Sequence, residues 1–215
     1  MPYPSERAGS YHRLTNARAV VKAIATVDMV VGTEVWLSWA HIAIQQAHIA
    51  QAARATIASQ IEGGQPYDLN DELHPALIAI AAVATSLDGF AREVEKTGVP
   101  VPSGPPTRAH GIWETLRSGF DVNSKTNTWP RDIKDTFTLR VGSLHPATVF
   151  GQPAQHPIVP GVAPARAVYT TEAADTALAL MRDIYKTCRA SVRPQHAALV
   201  SRMSGLDGAL TLVAP

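Results

Sequence analysis

Apolar residues recur at helical spacing along most of this chain. The segment 15–61 contains no proline, and its apolar positions, Val20 and Ile24 among the first, follow one another every three or four residues. Such spacing puts apolar side chains on one face of a helix. The stretch 63–66, Gly-Gly-Gln-Pro, ends the pattern because both residue types interrupt helices. We therefore predict a helical segment over 15–61, with a break near Gly32.

The next segment, 70–97, is apolar almost all the way round its helical wheel between residues 77 and 90. A helix of this kind belongs at the centre of a bundle, where every face is covered. Asn70 is the expected N-terminal cap, and Pro75 lies early enough in the helix to be tolerated. Gly98 is the expected C-terminal signal.

Proline-rich stretches separate the remaining helical patterns. One is a stiff linker over 99–108, and the other is a long loop over 146–165. Further helices are predicted over three ranges: 110–120, from Trp129 through residue 139, and 170–192. The sequence thus predicts an all-α fold, a bundle of about five to seven helices with a proline-rich loop before the last long helix. We expect residues 1–215 to form a single domain.

The composition of the chain bears on its binding partners, its oligomeric state and its location in the cell. A net charge of +1 lacks the basic excess of a dedicated nucleic-acid-binding protein, so any contact with RNA must be local. Only 17% of residues are charged, which suggests that a second subunit covers part of the surface. We therefore expect a homodimer or another oligomer. The single cysteine, Cys188, excludes an internal disulfide. With no evident secretion signal or membrane-length apolar run, we expect a cytoplasmic protein without membrane contact.

One short motif hints at chemistry. In FTLRVGSLHP, residues 137–146, Arg140 lies five positions before His145, and a proline follows. Arginine binds phosphate charge, and histidine moves a proton near neutral pH. Five residues rotate by about 140° net around a helix, so the two side chains would not share a face. Gly142 and Pro146 predict a turn that brings them together at the helix end or against a second subunit. Alternatively, His145 caps the last carbonyls and Arg140 forms a surface salt bridge.

An arginine, four residues and a histidine, late in a helical chain, resemble the Arg-x4-6-His motif of the HEPN superfamily. The resemblance implies a metal-independent endoribonuclease, toxin or defence-related, with Arg140 and His145 as the catalytic pair at a homodimer interface. The segment that contains Asp88 resembles the family's central helix, so Asp88 would support the site. Val141 departs from the polar residue that often follows the arginine. Other members of the family have lost catalysis and serve as binding or dimerisation modules.

A second candidate feature is a set of cations predicted to share one face of the last long helix. They are Arg182, Lys186, Arg189 and Arg193. The opposite face is apolar and is predicted to be core: Ala177, Leu180, Ile184 and Cys188. The cations are interpreted as a track for RNA phosphates. The alternative is a solvated face whose charges favour the helix C-terminus.

The remaining signals are sparse. His41 and His48 lie about 10.5 Å apart along a helix, too far to share one metal ion. Phosphate-binding, zinc and nucleophile-elbow signatures are missing, and we predict no metal and no cofactor. Two other functions stay open. One is a non-catalytic interaction or dimerisation module, or a subunit of a larger assembly. The other is a small-molecule-binding bundle near Trp36 and Trp39.

Overall fold

In the part of the chain that the structure describes, the helical periodicity of the sequence is realised as seven α-helices. The computed structural model describes residues 35–99, 107–120, 122, 127–144, 152, 154–191 and 193–206, and this part of the chain contains no strand. The helices are α1 (Val35–Glu62), α2 (Asn70–Lys96), α3 (Arg108–Phe120), α4 (Trp129–Leu144), α5 (Pro164–Val168), α6 (Thr171–Ala190) and α7 (Ala197–Arg202). Short 3-10 turns flank α7 at Pro194–His196 and Met203–Leu206. The predicted all-α bundle is confirmed.

Helix α2 is the centre of the bundle. It packs against α3, α4 and α6. Ile80, Leu87 and Phe90 are fully buried, as expected for a helix that is apolar on every side. Contacts group the chain from Trp36 onward into one compact unit.

The ends of α2 show one wrong prediction and one correct one. Asn70 does not cap the helix, because it is already the first helical residue. Instead, the Asp68 carboxylate accepts a hydrogen bond from the Asn70 amide at 2.9 Å. At the other end, Gly98 adopts a left-handed conformation with φ of 88°, directly after the terminal Thr97. This is the conformation that glycine allows at a helix C-terminus.

The contact between α1 and α2 depends on Gly89. A Cβ atom there would lie 2.8 Å from the Cβ of Trp36, so only glycine lets the helices approach this closely. Beside it, the Ser86 hydroxyl donates to the Trp36 carbonyl at 2.6 Å and lies 2.7 Å from the Tyr185 hydroxyl. The rings of Trp36, Phe90 and Tyr185 pack with centroids 5.2–5.6 Å apart. Polar and aromatic contacts therefore join α1, α2 and α6.

Helix α2 also meets the length and composition of a membrane-spanning helix. Its mean hydropathy over an 18-residue window is 1.5, and 56% of that window is buried inside the bundle. The buried core helix of a bundle passes the same test of length and composition, so the expectation of a protein without membrane contact stays a prediction.

The described part of the proline-rich loop is non-helical until Pro164, where α5 begins. A single bridge pairs Ala154 with Val162 and closes the loop. Val162 is buried in a small cluster with Ile57 and Leu69, apart from the main core. The loop is thereby attached to α1 and to the residues that precede α2.

Helix α4 extends further than its glycine suggests. A turn was predicted around Gly142, yet the helix continues to Leu144. The Tyr169 hydroxyl donates to the Leu139 carbonyl at 2.9 Å and occupies the space beside the glycine. A Cβ atom on Gly142 would lie 2.7 Å from that hydroxyl oxygen. Glycine is used here for close packing rather than for a turn.

We expect Gly142→Ala to lower the free energy of unfolding by about 1–3 kcal/mol, because the new methyl group overlaps the Tyr169 hydroxyl. The same substitution in a Tyr169→Phe background should be neutral or stabilising, because the obstructing oxygen is gone and alanine favours helix. Chemical unfolding of the four proteins checks this cycle. If Gly142→Ala changed the free energy of unfolding equally in both backgrounds, the close contact between residue 142 and the Tyr169 hydroxyl would be contradicted.

Candidate functional site

Arg140 lies near the C-terminal end of α4, on the half-buried side of the helix. Its guanidinium carbon lies 5.8 Å from the centroid of the Phe137 ring, a cation–π contact one turn away. The Arg140 carbonyl accepts from the Ser143 hydroxyl at 2.7 Å. His145 lies outside the described residues. The described helix therefore positions the arginine of the motif, and the pairing with His145 stays a prediction.

A groove opens beside this arginine, between α4 and the start of α3. Its volume is about 360 Å³. The lining residues are Thr107, Arg108, Ala109, Lys134, Phe137, Thr138 and Val141. Two of them are cations, and none is a carboxylate. Val141 is 56% exposed and contributes apolar surface directly after Arg140 in the sequence.

Asp88 lies one helix away from the motif, and its described partners are arginines of α2 and α3. It accepts a hydrogen bond from Nε of Arg108 and lies 3.5 Å from Nε of Arg92. Arg108 also donates to Glu95 at 3.0 Å, and it lines the groove. Asp88 therefore orients a cation of the groove. Direct support of Arg140 by Asp88, as the resemblance implies, stays a prediction.

The basic residues of α6 are less uniform than their spacing suggests. Lys186 and Arg189 are exposed, whereas Arg182 is half-buried. Burial lowers the pKa of Arg182, and the charge of Asp175 opposes that shift. The helix ends at Ala190, so the placement of Arg193 on the same helical face is wrong. Its guanidinium instead donates to the Ser118 carbonyl at 3.2 Å. The predicted apolar face is confirmed by the burial of Ala177, Leu180, Ile184 and Cys188.

A larger groove between α4 and α6 has the opposite charge. Its volume is about 650 Å³. Four carboxylates line it: Asp132, Asp135, Glu172 and Asp183. Asp183 also accepts a hydrogen bond from the Trp129 indole at 2.7 Å. Negative charge disfavours phosphate, so this groove does not suit the backbone of a nucleic acid.

The most buried ionic cluster of the described chain surrounds Arg54 on α1. Its guanidinium donates to both oxygens of Glu72, through Nε at 2.7 Å and through Nη2. It also donates to Glu172 at 2.6 and 2.9 Å. The Thr171 amide donates to Glu72 at 2.8 Å. One arginine thus joins the starts of α2 and α6 to the middle of α1.

His156 attaches the proline-rich loop to this cluster. The ring is 2% exposed, and its Nε2 lies 3.5 Å from Oε2 of Glu72. The Ile158 amide donates to Nδ1 at 3.4 Å, which places the proton of the neutral ring on Nε2. Sequence reasoning missed the cluster. The only signals were charged residues in otherwise apolar or small-residue patterns, such as Arg54 among alanines.

The pKa values of His156 and Glu72 are both lowered in the folded protein, so both residues predict that acid destabilises the fold. Burial raises the pKa of Glu72, but hydrogen bonds from Arg54 and Thr171 outweigh it and leave the pKa below 4.5. Burial lowers the pKa of His156 below 6.5, although Glu72 opposes this. A group whose pKa is lower in the folded protein than in the unfolded chain stabilises the fold. This contribution is complete above the pKa of the unfolded chain and is lost as the pH falls through the pKa of the folded protein.

We therefore expect the free energy of unfolding to fall below pH 6.5, the ordinary histidine value, and to fall again below pH 4.5. His156→Gln should flatten the upper part of this profile, because glutamine does not titrate. The slope should not vanish, since burial also lowers the pKa of His196. Urea unfolding at a series of pH values tests this. A His156→Gln profile parallel to that of wild type would contradict it.

The described residues contain no group of three histidine, cysteine or acidic side chains arranged to hold a metal ion. Cys188 is buried, and burial raises the pKa of its thiol well above the ordinary value. The site features of this helical bundle are therefore the Arg140 groove, the acidic groove and the buried Arg54 cluster. Comparison with protein-family models, with curated proteins and with solved structures finds no match for this chain.

Proposed function

We propose that this chain is a HEPN-like, metal-independent endoribonuclease with Arg140 and His145 as its catalytic pair. The observation that carries the proposal is the setting of Arg140. Its guanidinium lies over the ring of Phe137, and Phe137 lines a groove that contains two cations and no carboxylate among its lining residues. A phosphodiester requires such a local positive site in a protein whose net charge is only +1.

The proposed reaction is an internal transfer of the phosphate. His145 takes the proton of a ribose 2′-hydroxyl, whose oxygen bonds to the adjacent phosphorus as the bond from phosphorus to the 5′-oxygen breaks. The leaving 5′-oxygen takes a proton from water, and His145 returns its own proton to water. Arg140 stabilises the charge that accumulates on the phosphate oxygens in the transition state. The products are a 2′,3′-cyclic phosphate and a 5′-hydroxyl. In a homodimer, two copies of the motif would meet and complete the site.

A second candidate is a non-catalytic interaction module that resembles the same family. The observation that favours it is Val141, which is 56% exposed where many family members have a polar residue. Val141 adjoins the apolar groove residues Phe137 and Ala109, and a continuous apolar surface of this kind suits contact with another protein. In this case the Arg140 region would bind another chain without cutting RNA.

The test is incubation of the purified protein with single-stranded RNA in excess EDTA, followed by analysis of the fragment ends. The proposal predicts fragments with 2′,3′-cyclic phosphate and 5′-hydroxyl ends. Absence of cleavage, or fragments with 3′-hydroxyl ends, would refute it. Light scattering on the same sample should give twice the 23.0 kDa chain mass. A monomer that cleaves RNA would refute the dimer alone.

A further inference from the structure

We infer that the groove between α3 and α4 binds a nucleobase of single-stranded RNA next to the phosphate that Arg140 contacts. The inference rests on the proposed function and assigns the substrate contact of the same site. Val141 supplies an exposed apolar wall, and the nearly buried Phe137 and Ala109 form the floor. The groove volume of about 360 Å³ lies at the small end of ligand clefts. This combination fits the apolar face of one planar ring.

The positive charge around the groove favours a ligand whose ring is attached to a phosphate. Lys134 is exposed on one rim. Arg108 lies on the other rim with 34% of its side chain exposed, and its charge is shared with Asp88 and Glu95. The N-terminus of the 13-residue α3 adds the positive end of its dipole, because Thr107 and Ala109 both line the groove. A nucleotide combines an apolar ring with a phosphate, so it matches an apolar floor with a cationic rim.

The geometry of α4 links this groove to the catalytic arginine. Lys134, Phe137 and Val141 are spaced by three and four residues, so they lie along one side of the helix. The Arg140 guanidinium lies against the same Phe137 ring that forms the groove floor. Arg140 itself does not line the groove, but it contacts the Phe137 ring that does, and we place the phosphate of a bound base on that side of the ring. The four carboxylates of the acidic groove between α4 and α6 repel phosphate, so the RNA backbone is not expected to run along that groove.

Thiol protection tests this contact without requiring cleavage. The chain has one cysteine, Cys188, which is fully buried, so a cysteine introduced at an exposed position is the reactive thiol. Val141→Cys is reacted with a fluorescent maleimide with and without fully 2′-O-methylated single-stranded RNA, which lacks the attacking hydroxyl. Ile49→Cys is the matched control, because that residue is 44% exposed on α1. Binding is measured in parallel by fluorescence anisotropy.

We expect bound RNA to slow the labelling of Val141→Cys about tenfold at about ten times its dissociation constant, because only the free fraction reacts. Ile49→Cys should react at an unchanged rate. Lys134→Glu should weaken RNA binding about tenfold or more. Arg131→Glu should change it less, because Arg131 lines neither groove and pairs with Asp135.

The possible outcomes distinguish failure of the groove assignment from failure of the proposed nuclease function. If RNA is cleaved but Val141→Cys stays unprotected, the groove assignment is overturned and the nuclease stands. Protection without cleavage keeps the groove as an RNA contact and refutes the nuclease. Labelling that slows with protein concentration in the absence of RNA would show that a second copy occupies the groove, which also overturns the inference. Absence of RNA binding overturns both.

Discussion

Replacing Glu72 by glutamine should lower the free energy of unfolding by about 3 kcal/mol, the low end for breaking a buried ion pair. The Glu72 side chain is 1% exposed, and that of Arg54 is 14% exposed. Glutamine preserves the shape but removes the charge that balances the guanidinium. Glu172 remains as a partner of Arg54, but its side chain is 57% exposed and its attraction is screened by water. Chemical unfolding measures the difference directly.

The matched control is Asp135→Asn. Asp135 pairs with Arg131 within α4, and the two side chains are 63% and 86% exposed. Such a pair contributes less than about 1 kcal/mol. The double variant Arg54→Met with Glu72→Met should lose less than the sum of the single effects, because no buried charge remains uncompensated. A Glu72→Gln effect no larger than that of Asp135→Asn would contradict the role of the cluster.

The second large effect concerns the motif. We expect Arg140→Ala and His145→Ala each to slow RNA cleavage by about 10²–10⁴-fold, the usual contribution of a general acid–base or of an anion-stabilising group. Arg140→Lys should restore only part of the rate, because lysine cannot bind phosphate in a bidentate manner. Arg131→Ala, on the same helix but 86% exposed, should cleave at the wild-type rate. Unfolding curves that overlap those of wild type would exclude loss of folding as the cause.

The fold was predictable where periodicity and burial agree. The segment 70–97 is apolar on all sides, and its helix lies at the centre of the bundle. The apolar face of α6 was predicted for the same reason, since helical spacing alone separates its core side from its polar side. The exact caps were less predictable. Asp68 and Asn70 are both good capping residues, yet the N-cap position is Leu69, and Asp68 accepts a hydrogen bond from the Asn70 amide.

The site was less predictable because its contacts join distant parts of the chain. Arg54 reaches Glu72 over 18 positions and Glu172 over 118, and no local spacing encodes either contact. Gly142 was interpreted as a helix breaker, yet Tyr169 needs the space that its missing side chain leaves. The groove beside Arg140 had one local signal, the spacing of Lys134, Phe137 and Val141 along a single helix face. Arg108 enters only through tertiary packing.

The most direct test of the central claim is the rate of RNA cleavage in EDTA by wild type, His145→Ala and Arg131→Ala at equal protein concentration. The proposed mechanism predicts cleavage by wild type and Arg131→Ala at similar rates, with 2′,3′-cyclic phosphate ends. His145→Ala should be slower by about a hundredfold or more. Equal rates for wild type and His145→Ala would contradict it, as would a wild-type protein that leaves RNA intact.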